Sequence, residues 1–173
     1  METRFKTSLL DPATLSVTWE LVPGRGAREK DQEKALTAAQ QAARGGKVHA
    51  LTITDNPGGN PAILADYLGV EILKMGIEPL VHFTCKDKNR NQIESELYAL
   101  DRAAVRNLLV MSGDYPVTGF QGRPKPVFDL DPVLSDRGKA VAFKGDSSDI
   151  TADLAVKFMR DCTVKKQPFL AVV

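Results

Sequence analysis

The feature that most constrains this chain is a rhythm. Strand-like apolar runs start roughly every 30 residues, the usual length of a βαβ unit, and segments of helical spacing separate them. The runs are Leu15–Val22, Val48–Thr54, Glu78–Thr84 and Asn107–Met111. Between them, three segments repeat apolar residues at helical spacing. In Glu29–Arg44 these are Ala35, Leu36, Ala39, Ala42 and Ala43. In the segment that ends near Gly76 they are Leu64, Leu68 and Ile72, with Asn60 as cap and Pro61 in the first position. In Asn91–Ala104 they are Ile93, Leu97, Leu100 and Ala104. Residues 1–13 read as a lead-in without an element of their own. Strict β and α alternation predicts a parallel sheet.

Each run ends in polar groups. The first delivers Glu20, the second Thr54 and Asp55, and the third His82 and Thr84. The fourth stops in Ser112-Gly113-Asp114-Tyr115-Pro116, an abrupt turn that places a carboxylate at an open rim. Polar groups from several strand ends are how a barrel builds a site. An open nucleotide-binding sheet more often shows G-x-G-x-x-G after its first strand, and Pro23-Gly24-Arg25-Gly26-Ala27 lacks the third glycine. The expected class is therefore α/β, of (β/α) TIM-barrel type. It is partial, because a whole barrel takes eight strands and about 250 residues. Here four βα units are followed by a C-terminal βαβ-like piece.

Composition narrows the function classes. Among 173 residues the net charge is +1 and charged residues make up 26%, so nothing marks a nucleic-acid surface. No apolar run approaches the roughly 18 residues that would span a membrane, and Met1–Lys6 lacks the apolar core of a signal peptide. Cys85 and Cys162 form neither a disulfide framework nor a metal cluster. A reduced, cytoplasmic setting is expected. The chain is expected to form a single α/β domain over 1–173, with a front part, 1–131, and a divergent tail, 132–173. In the tail, Lys139–Phe143 reads as a strand, Ser147-Ser148-Asp149 as a helix cap and Pro168–Val173 as a terminal strand.

Four stretches in order carry a resemblance: Val17-Thr18-Trp19-Glu20-Leu21-Val22-Pro23, Leu51-Thr52-Ile53-Thr54-Asp55-Asn56-Pro57, His82-Phe83-Thr84-Cys85 and Ser112-Gly113-Asp114-Tyr115-Pro116. Over about residues 1–131 the chain resembles the methylenetetrahydrofolate reductase family. The tail from about residue 138 resembles an internal sulfatase-family segment. It lacks the sulfatase nucleophile motif, and no sulfatase activity is carried over.

The reductase resemblance implies a flavin-containing (β/α)8 barrel. Such a protein reduces 5,10-methylenetetrahydrofolate to 5-methyltetrahydrofolate, with electrons from NAD(P)H or from a partner protein, and FAD is the implied flavin. Glu20 is then the general acid that protonates N10 of the folate and opens its five-membered ring. Asp114 is the aspartate beside the flavin and pterin. Thr54, His82, Met111, Ser112 and Gly113 are flavin contacts, with Ser112 standing where many relatives carry arginine. Such an acid needs a carboxyl group with a raised pKa, which desolvation by a flavin and a nearby Asp114 would favour.

Plainer roles stand beside these. Asp114 is by default a turn residue, His82 a core histidine, and Thr54 and Thr84 β-branched strand residues. Lys86, Lys88 and Arg90 read as a solvated loop, or as cations that draw a phosphate or polyglutamyl tail to the rim. The chain is an active flavoenzyme, a non-catalytic half-barrel that needs a homo- or hetero-oligomeric partner, or a truncated or fused chain without activity.

Overall fold

A computed structural model describes residues 3–117, 119, 122–127 and 129, and the backbone of 135–136 and 139–140. The chain divides into two units, Met1–Asp131 and Pro132–Val173. In the second, β5 (Ser135–Asp136) pairs antiparallel with β6 (Lys139–Ala140), within the strand expected at Lys139–Phe143. The helix expected after Ser147 and the strand expected at Pro168–Val173 lie outside the described residues.

The first unit is built on β1 (Thr18–Leu21), β2 (Ala50–Ile53), β3 (Glu78–Thr84) and β4 (Asn107–Met111). They form one parallel sheet in the order β1-β2-β3-β4. Every crossover therefore steps the same way. Right-handed crossovers that all step one way put their helices on one face of the sheet, as in a barrel wall. An open doubly wound sheet would reverse its order. The first unit is a partial (β/α) barrel.

The connecting helices are α2 (Lys30–Gly45), α3 (Ala65–Lys74) and α4 (Arg90–Arg102). In α2, Asp31 and Glu33 in the first turn and Arg44 in the last complement the helix dipole. The Asn89 side chain caps α4 by accepting from the Gln92 amide at 2.9 Å. On the helix-facing side, Leu21, Ile53, Val81 and Leu108 lie in one register row. They pack with Ala39, Ala42, Leu68, Ile72 and Leu100 of the helices. Leu51, Ile53, Leu68, Ile72 and Val81 are essentially inaccessible. Each large aliphatic side chain there contributes about 1.5–3 kcal/mol by leaving water.

Two local expectations need correction. Residues 1–13 contain a helix, α1 (Arg4–Leu10). Its start was legible: Thr3 caps it by accepting from the Lys6 amide at 3.1 Å. What holds it is distant in sequence, since the Glu78 carboxylate accepts from the Arg4 and Phe5 amides. That puts α1 at the N-terminal end of β3. The second correction concerns Asn60 and Pro61. The turn after β2 contains a short 3-10 segment, Pro57–Gly59, and α3 starts only at Ala65. The Asn60 side-chain amide donates back to the Gly58 carbonyl at 3.2 Å, the Asn56 side-chain oxygen accepts from the Ala62 amide at 2.9 Å within the turn, and α3 begins after Leu64 without a side-chain cap.

Candidate active site

The face opposite the helices carries most of the residues that the sequence singled out. Side chains alternate along a strand, so registered partners share a face. Glu20, Thr52 and Leu80 form one inner row. Two residues further on, His82 pairs with Leu109, and the same register brings Thr54 beside His82. Thr84 and Met111 form the last row. Glu20, Thr54, His82 and Met111 thus share one face at the C-terminal ends of the strands. Sequence reasoning missed Thr52, although its alternation with Leu51 and Ile53 could have placed it with Thr54.

His82 is the most enclosed of these ionisable groups. Burial pushes its pKa below the ordinary value of 6.5, while the negative charges of Glu20 and Asp55 pull the other way. The imidazole is 9% exposed and makes no hydrogen bond among the described residues. The neutral ring is favoured, with one donor and one acceptor nitrogen facing the inner side. Glu20 stands at the edge of the sheet and is solvent-exposed, so protein atoms alone do not desolvate it. Its charge is felt at His82.

The fourth strand end supplies backbone more than side chains. Pairing with β3 continues past the sheet: the Cys85 amide donates to the Met111 carbonyl and the Lys86 amide to the Ser112 carbonyl, both at 3.0 Å. The Ser112 side chain is exposed. Gly113 has φ +94°, and a Cβ there would stand 2.9 Å from Thr84. Only glycine combines that backbone with that approach. Asp114 Oδ2 accepts from the Gly58 amide at 2.7 Å, so the carboxylate is fastened to the turn after β2. Gly59 lies hard against the same segment: a Cβ there would fall 1.8 Å from the Tyr115 carbonyl oxygen. Among the described residues no hydrogen bond or ion pair links Asp114 to Glu20 or His82.

In the charged turn after β3, Lys86 and Lys88 are enclosed rather than solvated as the composition implies, whereas Arg90 is exposed as expected. Lys86 is buried and pairs with Asp87. Lys88 Nζ lies 3.7 Å from Asp55 and 2.7 Å from Glu96 Oε2, the latter off the line of a hydrogen bond. The same ammonium sits 4.3 Å from the Phe83 ring centroid. Arg90 Nε lies 3.7 Å from Asp129. All three cations already face carboxylates, which weakens their pull on a diffusing anion. The Lys88 cluster also holds Asp66, whose pKa burial raises to about 6, with Glu96 adding to the effect.

Beside the end of β1, a cavity of about 410 Å³ is lined by Val22, Pro23, Gly24, Arg25, Glu29 and Asp31. Among the described residues no helix is long and apolar enough to cross a membrane, and no cluster of potential metal ligands occurs.

Comparison with known proteins agrees with this geometry. Residues 6–129 match the model of the methylenetetrahydrofolate reductase family, well over half of the chain. No curated protein matches. The match ends at residue 129, and the likeness of the tail to a sulfatase-family segment is not borne out. The parallel strands, the polar groups at their C-terminal ends and the extent of the match lead to one assignment: the chain belongs to the methylenetetrahydrofolate reductase family.

Proposed function

We propose that this chain takes part in the flavin-dependent reduction of 5,10-methylenetetrahydrofolate to 5-methyltetrahydrofolate. The observation that carries the reading is the shared inner face of Glu20, Thr54, His82 and Met111. The residues present fit a flavin. A buried imidazole without a hydrogen-bond partner among the described residues, flanked by Thr52 and Thr54, offers polar groups to the edge of a flat ring over an otherwise apolar floor of Leu80 and Leu109. A bound FAD supplies the hydride chemistry. Thr54, His82 and the Met111-Ser112-Gly113 backbone would hold it. Asp114, at the rim, orients the substrate. Glu20 delivers a proton to N10 of the folate, and its exposed place on β1 leaves it open to a substrate that enters from the rim. Electrons come from NAD(P)H or a partner protein, and the setting is cytoplasmic.

The test is Glu20→Gln. Folate reduction is expected to fall roughly 10²–10⁴-fold, the usual share of a general acid, with flavin binding kept. Full activity would remove Glu20 from the role.

A second reading has its own observation. Trp19 on β1 and Val110 on β4 are 46% and 69% exposed, and both strands are edges among the described residues. A half-barrel of this kind pairs with another chain, of its own kind or another, to close the wall. A monomer by sedimentation, at all concentrations, would count against it.

A further inference from the structure

We propose that Asp55 is a positioning residue that sets the rim: through the turn after β2, it holds the Gly58 amide where Asp114 is fastened. The proposal rests on the functional reading above only in making Asp114 a ligand-facing group.

Asp55 follows Thr54 directly, and its carboxylate is 7% exposed. Its Oδ2 accepts from the Thr84 hydroxyl at 2.6 Å and from the Thr84 amide at 3.4 Å. Lys88 Nζ lies 3.7 Å away and bridges on to Glu96 of α4. One carboxylate oxygen therefore ties the end of β2 to the end of β3 and to α4. The turn that begins there is tightly wound. Asn56, Gly58 and Gly59 have φ +46°, +62° and +68°, and the Gly59 amide donates to the Asn56 carbonyl at 3.0 Å. Its far side meets the fourth strand end twice, through Gly58 N–H to Asp114 Oδ2 at 2.7 Å and Val117 N–H to the Gly59 carbonyl at 2.8 Å. A tight turn anchored at one end transmits that anchor to the other. Among the described residues Asp114 Oδ1 makes no hydrogen bond, so the carboxylate is held by one oxygen and can present the other. Thr84 also closes against Gly113, where a Cβ would stand 2.9 Å away. Asp55 thus reaches both sides of Gly113-Asp114.

The experiment follows the Gly58 amide of the full 173-residue chain by hydrogen exchange and NMR, with Asp114→Asn setting the scale. Asp55→Asn is expected to speed Gly58 exchange by roughly tenfold, as loss of a hydrogen bond to a charged acceptor would. The core amides of Leu51 and Val81 should keep their rates, and Asp55→Glu should recover part of the effect. An unchanged Gly58 amide in folded Asp55→Asn would overturn the proposal. So would an equal rise at Leu51 and Val81, which would mark a merely structural role. If Asp55→Asn does not fold, Thr84→Val removes only the hydroxyl and takes its place: faster Gly58 exchange supports the proposal, and an unchanged rate overturns it. Flavin affinity in Asp55→Asn should also fall. If the parent chain takes up no flavin, the functional reading fails, while Gly58 still decides the role of Asp55.

Discussion

The two central strands and the two edge strands are written in the same kind of sequence and end up in different surroundings. All of β2 is buried, and β3 is buried from Val81 to Thr84. In β1 only Leu21 is buried, and in β4 no residue is. Burial of a parallel strand comes from strands on both sides and helices across one face. Composition alone does not say which strand will lie at an edge. The difference divides the site. Thr54 and His82 are fixed by the centre of the sheet, whereas Glu20 and Asp114 lie on or beyond edge strands and depend on what adjoins them.

The largest test of that contrast is a pair of truncations. Ile53→Ala in β2 is expected to cost about 2–5 kcal/mol, the range for a large aliphatic in a packed core. Val110→Ala in β4 should cost less than about 1 kcal/mol. Urea denaturation measures both, and equal losses would mean that the edge is covered.

A smaller effect sharpens the contrast through pH. Asp66 lies behind the central strands with its pKa raised to about 6 from 3.8. The folded chain holds the proton more tightly than the unfolded one, so this group lowers stability as pH rises from about 3.8 to 6. Asp66→Asn should raise the Tm at pH 8 and leave it nearly unchanged at pH 4. A lower Tm at pH 8 would contradict the assignment.

His82 acts in the opposite sense. Its pKa lies below 6.5, so the unfolded chain binds the proton more readily. The stability it contributes is present above that value and is lost as pH falls through it. The chain has two histidines, so His49→Gln leaves one imidazole to follow by NMR titration. Glu20→Gln in that background should lower the His82 pKa further, because it removes a charge that raises it. No change would mean that the edge carboxylate and the central imidazole do not communicate.

Much of this was legible in the sequence. The strand at Glu78–Thr84 matches its observed bounds, and the alternation of Thr52, Thr54, Leu80 and His82 with apolar neighbours anticipates the two faces. What was not legible depended on distant partners. Arg4–Leu10 is short and gains its hold from Glu78. The helix α3 starts at Ala65 and not beside Asn60, whose side chain bonds back to the Gly58 carbonyl in the turn. Lys86 and Lys88 read as solvent-facing because their carboxylate partners come from the turn and from two other elements. Asp55 reads from the sequence as a polar group at the second strand end, but nothing local reveals its contact with Thr84.

The central claim is that the inner face of this sheet is a flavin site. The most direct measurement is the visible absorbance of the purified chain after FAD is added and the excess removed by gel filtration, with His82→Leu measured alongside. Retained flavin absorbance in the parent chain, and its loss in a folded His82→Leu, is the predicted result. No retained flavin in the parent chain, or undiminished flavin in the variant, would contradict the account.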